Sequence, residues 1–274
     1  MKRVALVLAF VFLASACGGS TQETATGTGA SSSAQQAVLQ AAAKTKAAKS
    51  ARMSFTGKLT GGPASGTISG EGGFAGRQGR LSMDLGGLGG GEVSGRMELV
   101  FDGLLFYIKF PPVLSQRLPG GKTWVKFDLA KLGKRQGIDF QELLQLGGSD
   151  PRQSLDLMRA ASPDFAAVGD EDVRGVETTH YRGTVDLERL AERLSGKARQ
   201  SYRRIIELTG QSSVPVDVWI GEDGLTRRLR YEQQVGNGAA MELTEDFYDF
   251  GAEVDVSPPP ANEVVDLTAL IGTS

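Results

Sequence analysis

From Ser54 to Asp128 the sequence falls into short alternating runs cut by glycine-rich pairs, and a chain so punctuated can fold into little besides an antiparallel meander. The runs predict strands at Ser54–Leu59, Gly66–Phe74, Arg80–Leu85, Gly91–Phe101, Leu104–Phe110 and Thr123–Asp128. Asp102-Gly103, set between two apolar runs, is the strongest hairpin signal in the chain. It predicts Met97, Leu99 and Phe101 on one face of a strand, with Leu104, Phe106 and Ile108 on its partner. Val125 and Phe127 alternate in the same way against Trp124 and Lys126. Glycine, with 37 residues in the chain, supplies the turns and bends that such a sheet needs.

Helical patterns flank the meander. An Ala- and Lys-rich segment at Ala34–Lys49 carries Val38, Leu39 and Ala42 on one face. Asp139 followed by Glu142 opens a helix with a capping-box character that runs to Leu146, with Gly147 as its stop. Asp150-Pro151 opens another, bearing Leu155, Leu157 and Met158, which ends near Ser162-Pro163. Phe165–Val173 and Glu177–Val185 read as a second hairpin. Leu187, Leu190, Ala191 and Leu194 then form one helical stripe, and Ala198, Tyr202, Ile205 and Ile206 form another that closes at Gly210. Three strands follow, Ser213–Ile220, Thr226–Val235 and Ala239–Phe250, before Pro258–Pro260 breaks the pattern ahead of a short tail at Val264–Ile271. Their expected buried sets are Val214, Val216, Val218 and Ile220, then Leu229 and Tyr231, then Met241, Leu243 and Phe247. The predicted class is α+β, one large antiparallel sheet with helices on one side.

The first residues say where such a domain would live. Lys2 and Arg3 precede an unbroken apolar run, Val4–Leu13, and Ala14-Ser15-Ala16 places small residues before Cys17. This is the layout of an export signal, and the run is about half of the roughly 20 residues that a membrane-spanning helix needs. The small residues ending at Cys17 resemble a bacterial lipobox, in which the thiol receives a diacylglyceryl group. The other reading is an ordinary cleavage site with a small residue beside it. The expected organisation is a signal peptide over residues 1–16, a lipidated Cys17 with a Gly/Ser/Thr-rich flexible tether to residue 36, and a single domain over 37–274. No other cysteine exists, so the domain has no internal disulfide and depends on its core. The net charge of −2 becomes more acidic once Lys2 and Arg3 leave with the signal, which argues against a nucleic-acid partner.

Enzyme chemistry finds few candidates. His180 is the sole histidine and lies on an expected strand, where a structural hydrogen bond is the commoner role. No Gly-x-Ser-x-Gly elbow is present for a lipase-like triad, and no His/Cys set exists for zinc. Gly70-x-Gly-x-x-Ala75 copies half of a dinucleotide fingerprint without the helix that would follow it. Asp170-Glu-Asp172 reads as a solvated turn. Arg227, Arg228 and Arg230 read as a solvated strand face or a basic edge, and Phe110-Pro-Pro-Val-Leu114 as a strand exit or an apolar lip. The expectation is a non-enzyme without metal or cofactor.

A lipobox, a polar tether, an Ala-rich first helix, a long meander, His180-Tyr-Arg-Gly-Thr-Val-Asp186 before helices, Val216-Asp-Val-Trp-Ile220 and Leu225-Thr-Arg-Arg-Leu-Arg230 together mark a likeness. On these features the mature chain resembles the actinobacterial LppX/LprA/LprF/LprG lipoproteins, whose fold is LolA/LolB-like. The resemblance implies a curved half-barrel with helices on its concave face around an apolar cavity that takes lipid or acylated glycolipid. It implies anchorage by Cys17 to the outer face of the cell membrane, transfer of lipid across or within the envelope, and a membrane lipid transporter as partner. A monomer is expected. The candidate lining residues are Met97, Leu99, Phe101, Leu104, Phe106, Ile108, Val125, Phe127, Val216, Val218, Leu229, Tyr231, Met241, Leu243 and Phe247, with Leu155, Met158, Tyr202 and Ile206 from the covering helices. Alternating apolar residues also build a dry core, so a scaffold lipoprotein contacting other envelope proteins stands beside the carrier reading.

Overall fold

The computed structural model describes residues 29–61, 65–89, 95–116, 118–146, 164–236 and 238–268. The predicted signal, Cys17, the first part of the tether and the Asp150–Ser162 helix with Leu155 and Met158 lie outside them.

Two meanders share one open sheet. In the first, β1 (Ser50–Thr60), β2 (Gly66–Ala75), β3 (Gln78–Leu88), β4 (Arg96–Asp102), β5 (Leu105–Lys109) and β6 (Trp124–Asp128) pair in sequence order. In the second, β7 (Ala166–Val173), β8 (Val176–Asp186), β9 (Ser213–Gly221), β10 (Thr226–Gly236) and β11 (Ala239–Tyr248) do the same. The antiparallel pairing of β1 with β11 joins them, so the chain's two halves meet at the centre of the sheet. A twelfth strand, β12 (Val264–Asp266), lies parallel to β6 and ends the order β12-β6-β5-β4-β3-β2-β1-β11-β10-β9-β8-β7. The class is the expected α+β, a curved and mainly antiparallel sheet.

The helices gather on one face. They are α1 (Gly29–Ala47), the one-turn α2 (Pro112–Ser115), α3 (Leu129–Arg135), α4 (Phe140–Leu146), α5 (Leu187–Arg193) and α6 (Gly196–Thr209). Ala34, Val38 and Ala41, spaced as one helical stripe of α1, belong to the same apolar cluster as Phe55, Leu81, Leu99, Phe127, Val218 and Leu243 from the strands. Local chemistry fixes the helix ends. Asp128 and Asp186 accept backbone N–H bonds from Lys131 and Arg189 to open α3 and α5, Asp139 accepts from Glu142 at α4, and Gly210 closes α6 in the left-handed region. The Ser201 hydroxyl accepts the Asp139 N–H at 2.8 Å and ties α4 to α6.

Several expectations are corrected. Residues 29–36 begin α1 instead of ending a tether, because Ala34 has a core to enter. The β4–β5 turn centres on Gly103-Leu104, one residue later than expected, with Gly103 at φ 59° and Asp102 opposite Leu105. That shift removes Leu104 from the strand and from the apolar cluster, while Phe101 now faces Phe106, the two rings stacked at 5.8 Å. Among the described residues β4 starts at Arg96, and the expected start of that strand at Gly91 lies outside them. Phe110-Pro-Pro-Val-Leu114 is no projecting lip at its start: Phe110 packs on the core and Pro111 is fully buried before α2. Asp170–Asp172 lies within β7, not in a turn. Gly70 has a close-packing reason, since a Cβ there would overlap the Phe55 ring laid across it from β1.

The tail holds β12 in place. The Lys126 ammonium meets Asp266 at 2.7 Å, the Thr268 hydroxyl accepts the Asp128 N–H, and Arg135 donates to the Thr268 carbonyl. Burial opposes the Asp266 charge, yet the bonds from Lys126 and Thr268 outweigh it and bring that carboxyl down to about 2. Truncation after Pro260 should therefore raise hydrogen exchange at the β6 amides that face β12 by tenfold or more. Exchange at β8 and β9 should stay unchanged, and mass-spectrometric exchange reads both.

Candidate functional site

Strand parity sorts side chains into two faces with different chemistry. On the helix-covered face the central strands place Phe55 of β1 opposite Glu245 of β11, and Glu245 opposite Leu229 of β10, which in turn faces Val218 of β9. The next row is Gly57, Leu243, Tyr231 and Val216. Met53, Phe55, Tyr231 and Leu243 are buried, whereas Ile68, Leu229, Phe247 and Glu245 keep part of their surface accessible. An apolar face at the centre of a sheet that is only partly sealed is a surface able to receive a guest.

Two polar residues interrupt this face. Glu245 lies in phase with Leu243 and Phe247, and among the described residues its carboxylate has no hydrogen bond or ion pair. Burial alone pushes it up to about 7. Gln233, 8% exposed and in phase with Tyr231, has an Oε1 buried without a hydrogen-bond partner. Burial, and behind it the Glu245 charge, also pushes the Tyr231 phenol upward. On α6, Tyr202 is half buried one turn from Ile206, and burial raises its phenol too.

The opposite face is an ionic lattice. The Asp217 carboxylate, largely buried, lies 2.6 Å from His180 Nε2 and accepts from Arg182 at 2.7 Å and Arg230 at 2.9 Å. Burial works to raise its pKa, but these bonds outweigh it and hold the carboxyl below the ordinary range. The His180 ring stacks on Trp219 at 4.1 Å, and its Nδ1 lies 2.9 Å from Glu171. The Trp219 indole N–H and then His180 hold Glu171 below the ordinary carboxylate range. Arg228 forms a bidentate pair with Asp246 at 2.6 and 2.8 Å. The arginines expected as a solvated face or edge are therefore paired on a central strand, and Arg227 pairs with Asp223 beneath the Phe250 ring. An open groove of about 440 Å³ on this face is lined by Ser54, Thr56, Glu71, Asp84, Arg96 and Asp246, so it is polar.

The residues expected to line a cavity divide into groups. Leu99, Phe101, Phe106, Ile108, Val125, Phe127, Val216, Val218, Tyr231 and Leu243 lie buried in one apolar cluster. Met97, Ile206, Leu229 and Phe247 pack against it partly exposed. Met241 shares the face but is only half buried, and Leu104 sits in the turn. Glu245 and Gln233 were missed although period-two parity with their neighbours places both inward. An acidic or amide side chain inside an apolar alternation is the signal that finds them.

No protein-family model matches this chain. An uncharacterized 31.2 kDa protein encoded between rplA and rplJ in Streptomyces griseus is 32% identical over 158 residues, covering 56% of this chain and 50% of that protein. A protein of Streptomyces coelicolor named as a candidate lipoprotein is 28% identical over 173 residues, covering 61% of this chain and 50% of its own length. The chain thus spans about half the length of the curated relatives it matches. The crystal structure of the Mycobacterium tuberculosis lipoprotein LppX superposes with a TM-score of 0.50 at 14% identity, over 82% of this chain and 99% of LppX. The likeness read from the sequence holds at the level of the fold: this chain has the fold of LppX.

Proposed function

We propose that this protein is an exported lipoprotein, anchored through Cys17 to the outer face of the cell membrane, that binds an acylated lipid on the concave face of its sheet and carries it within the envelope. The observation that carries this reading is the inward apolar face of the central strands, where Leu229, Phe247 and Ile68 pack against the buried cluster yet keep accessible surface. The LppX fold and a lipoprotein-named relative support it. Among the described residues no helix is long and apolar enough to cross a membrane, and the anchor in this reading is the acylated cysteine.

Energetics dictate the mechanism. Exposing a sixteen-carbon chain to water costs about 12 kcal/mol at 0.8 per methylene, so the face must offer nearly the burial that the bilayer does. Transfer is then close to isoenergetic and takes its direction from a lipid gradient or a membrane transporter. Binding and release need no covalent step. The buried cluster around Leu99, Phe106 and Val125 supports the other reading, a packed scaffold that contacts envelope proteins.

Native mass spectrometry of the full-length protein after gentle extraction separates the two. The carrier reading expects acyl species bound beyond the anchor, and a Leu229→Trp variant with unchanged circular dichroism should lose at least fivefold of that occupancy. A mass showing the anchored chain alone would leave the scaffold.

A further inference from the structure

Resting on the carrier reading, the geometry points to a polar diagonal, Glu245, Tyr231 and Gln233, as the site that recognises an uncharged hydroxyl of the bound lipid and rejects an anionic headgroup. These three residues lie on the inward face of β10 and β11, the strands at the middle of the sheet. Tyr231 faces Leu243, so Glu245 is its diagonal neighbour, at about 7 to 8 Å between Cα positions and within reach of a phenol and a carboxyl. Gln233 follows two residues on from Tyr231, about 7 Å along the strand. The surrounding positions are Phe55, Leu229, Leu243 and Met241.

Such groups do not stand idle in a dry core. Natural interiors satisfy nearly all of their buried polar atoms, and each one left bare costs about 1 to 3 kcal/mol. Gln233 Oε1 is such an atom, buried without a partner, and beside it the Glu245 carboxyl and the Tyr231 hydroxyl make no hydrogen bond among the described residues. Three polar tips in a row on one apolar face supply what a partner's hydroxyl needs: a phenol O–H, an amide carbonyl, and a carboxyl raised to about 7 that donates when protonated and accepts when ionised.

The set also excludes. Among the described residues no ion pair reaches Glu245, and burial is the sole cause of its shift. A phosphate placed there would add a second negative charge in an apolar setting where no cation among the described residues pairs with it. A glycerol or sugar hydroxyl between acyl chains meets no such penalty.

Three lipids with the same oleoyl chains test the assignment on the full-length protein, in competition with a fluorescent dioleoylglycerol. Dioleoylglycerol should bind about tenfold more tightly than trioleoylglycerol, which has no free hydroxyl, and at least tenfold more tightly than dioleoyl phosphatidic acid. Glu245→Leu and Tyr231→Phe should each erase most of the preference for dioleoylglycerol over trioleoylglycerol while keeping trioleoylglycerol affinity. Equal binding of all three lipids, or variants that keep the wild-type preference, would overturn the diagonal and leave the carrier reading standing. Failure of every lipid to bind would overturn both.

Discussion

At pH 8 the Glu245→Gln variant should be more stable than the wild type, and the difference should shrink by about 3 kcal/mol as the pH falls to 4. The folded carboxyl is raised to about 7 by burial, against about 4.5 for an unhindered glutamate. Below the unfolded value both states hold the proton and Glu245 contributes no pH dependence. Between the two values the unfolded chain releases its proton first, so native stability falls with rising pH, and it levels off above the folded value. A gap of two and a half pKa units corresponds to about 3 kcal/mol at 1.36 per unit, or roughly 6 to 12 °C in melting temperature for a chain of this size. Glutamine cannot titrate and escapes the loss. Urea unfolding across pH 4 to 8 measures it, and parallel curves for the two proteins would show that the carboxyl is solvated. The wild type would thus sacrifice stability at neutral pH to keep an acid on its inner face, as binding sites often do.

Asp217→Ala should destabilise the protein at pH 7 by about 3 kcal/mol. One carboxylate there holds two guanidinium groups and an imidazole, and removing it leaves them facing one another on the buried stretch beside Trp219. Loss of one partner of a buried pair costs about 3 to 5 kcal/mol, and the lower end applies because the Arg182 and Arg230 heads reach solvent. The sign with pH is opposite to that of Glu245. Asp217 is held below its ordinary range, so its contribution is present above about 4 and disappears as acid protonates it. The penalty measured at pH 7 should therefore shrink at pH 2 to 3. An equal penalty at both values would mean that the aspartate acts by packing and not by charge.

How far these sites were legible follows from what short-range pattern encodes. Strand alternation placed Leu99, Phe106, Val125, Val216 and Leu243 on the inner face correctly, because period two survives whatever the strand's neighbours are. Hairpin register depends on which two residues take the turn, and the turn one residue late at Gly103-Leu104 moved Leu104 out of the core. β12 escaped notice because three residues of parallel pairing leave no periodicity to read. The arginines of β10 looked solvated because their partners, Asp217 and Asp246, come from other strands, and no local window shows cross-strand charge pairing. Glu245 needed only parity, but a carboxyl in an apolar alternation invites the assumption that it faces water.

An open sheet has two free rims, and a long flat rim tends to recruit another chain. Here the β7 rim carries Asp170, Glu171 and Asp172 and is broken by an irregularity between Ala167 and Gly169, while β12 at the far rim is three residues long. Neither rim offers a second copy a straight row of amides to zip onto. Crowded side by side, molecules built this way would stay separate instead of growing into fibrils.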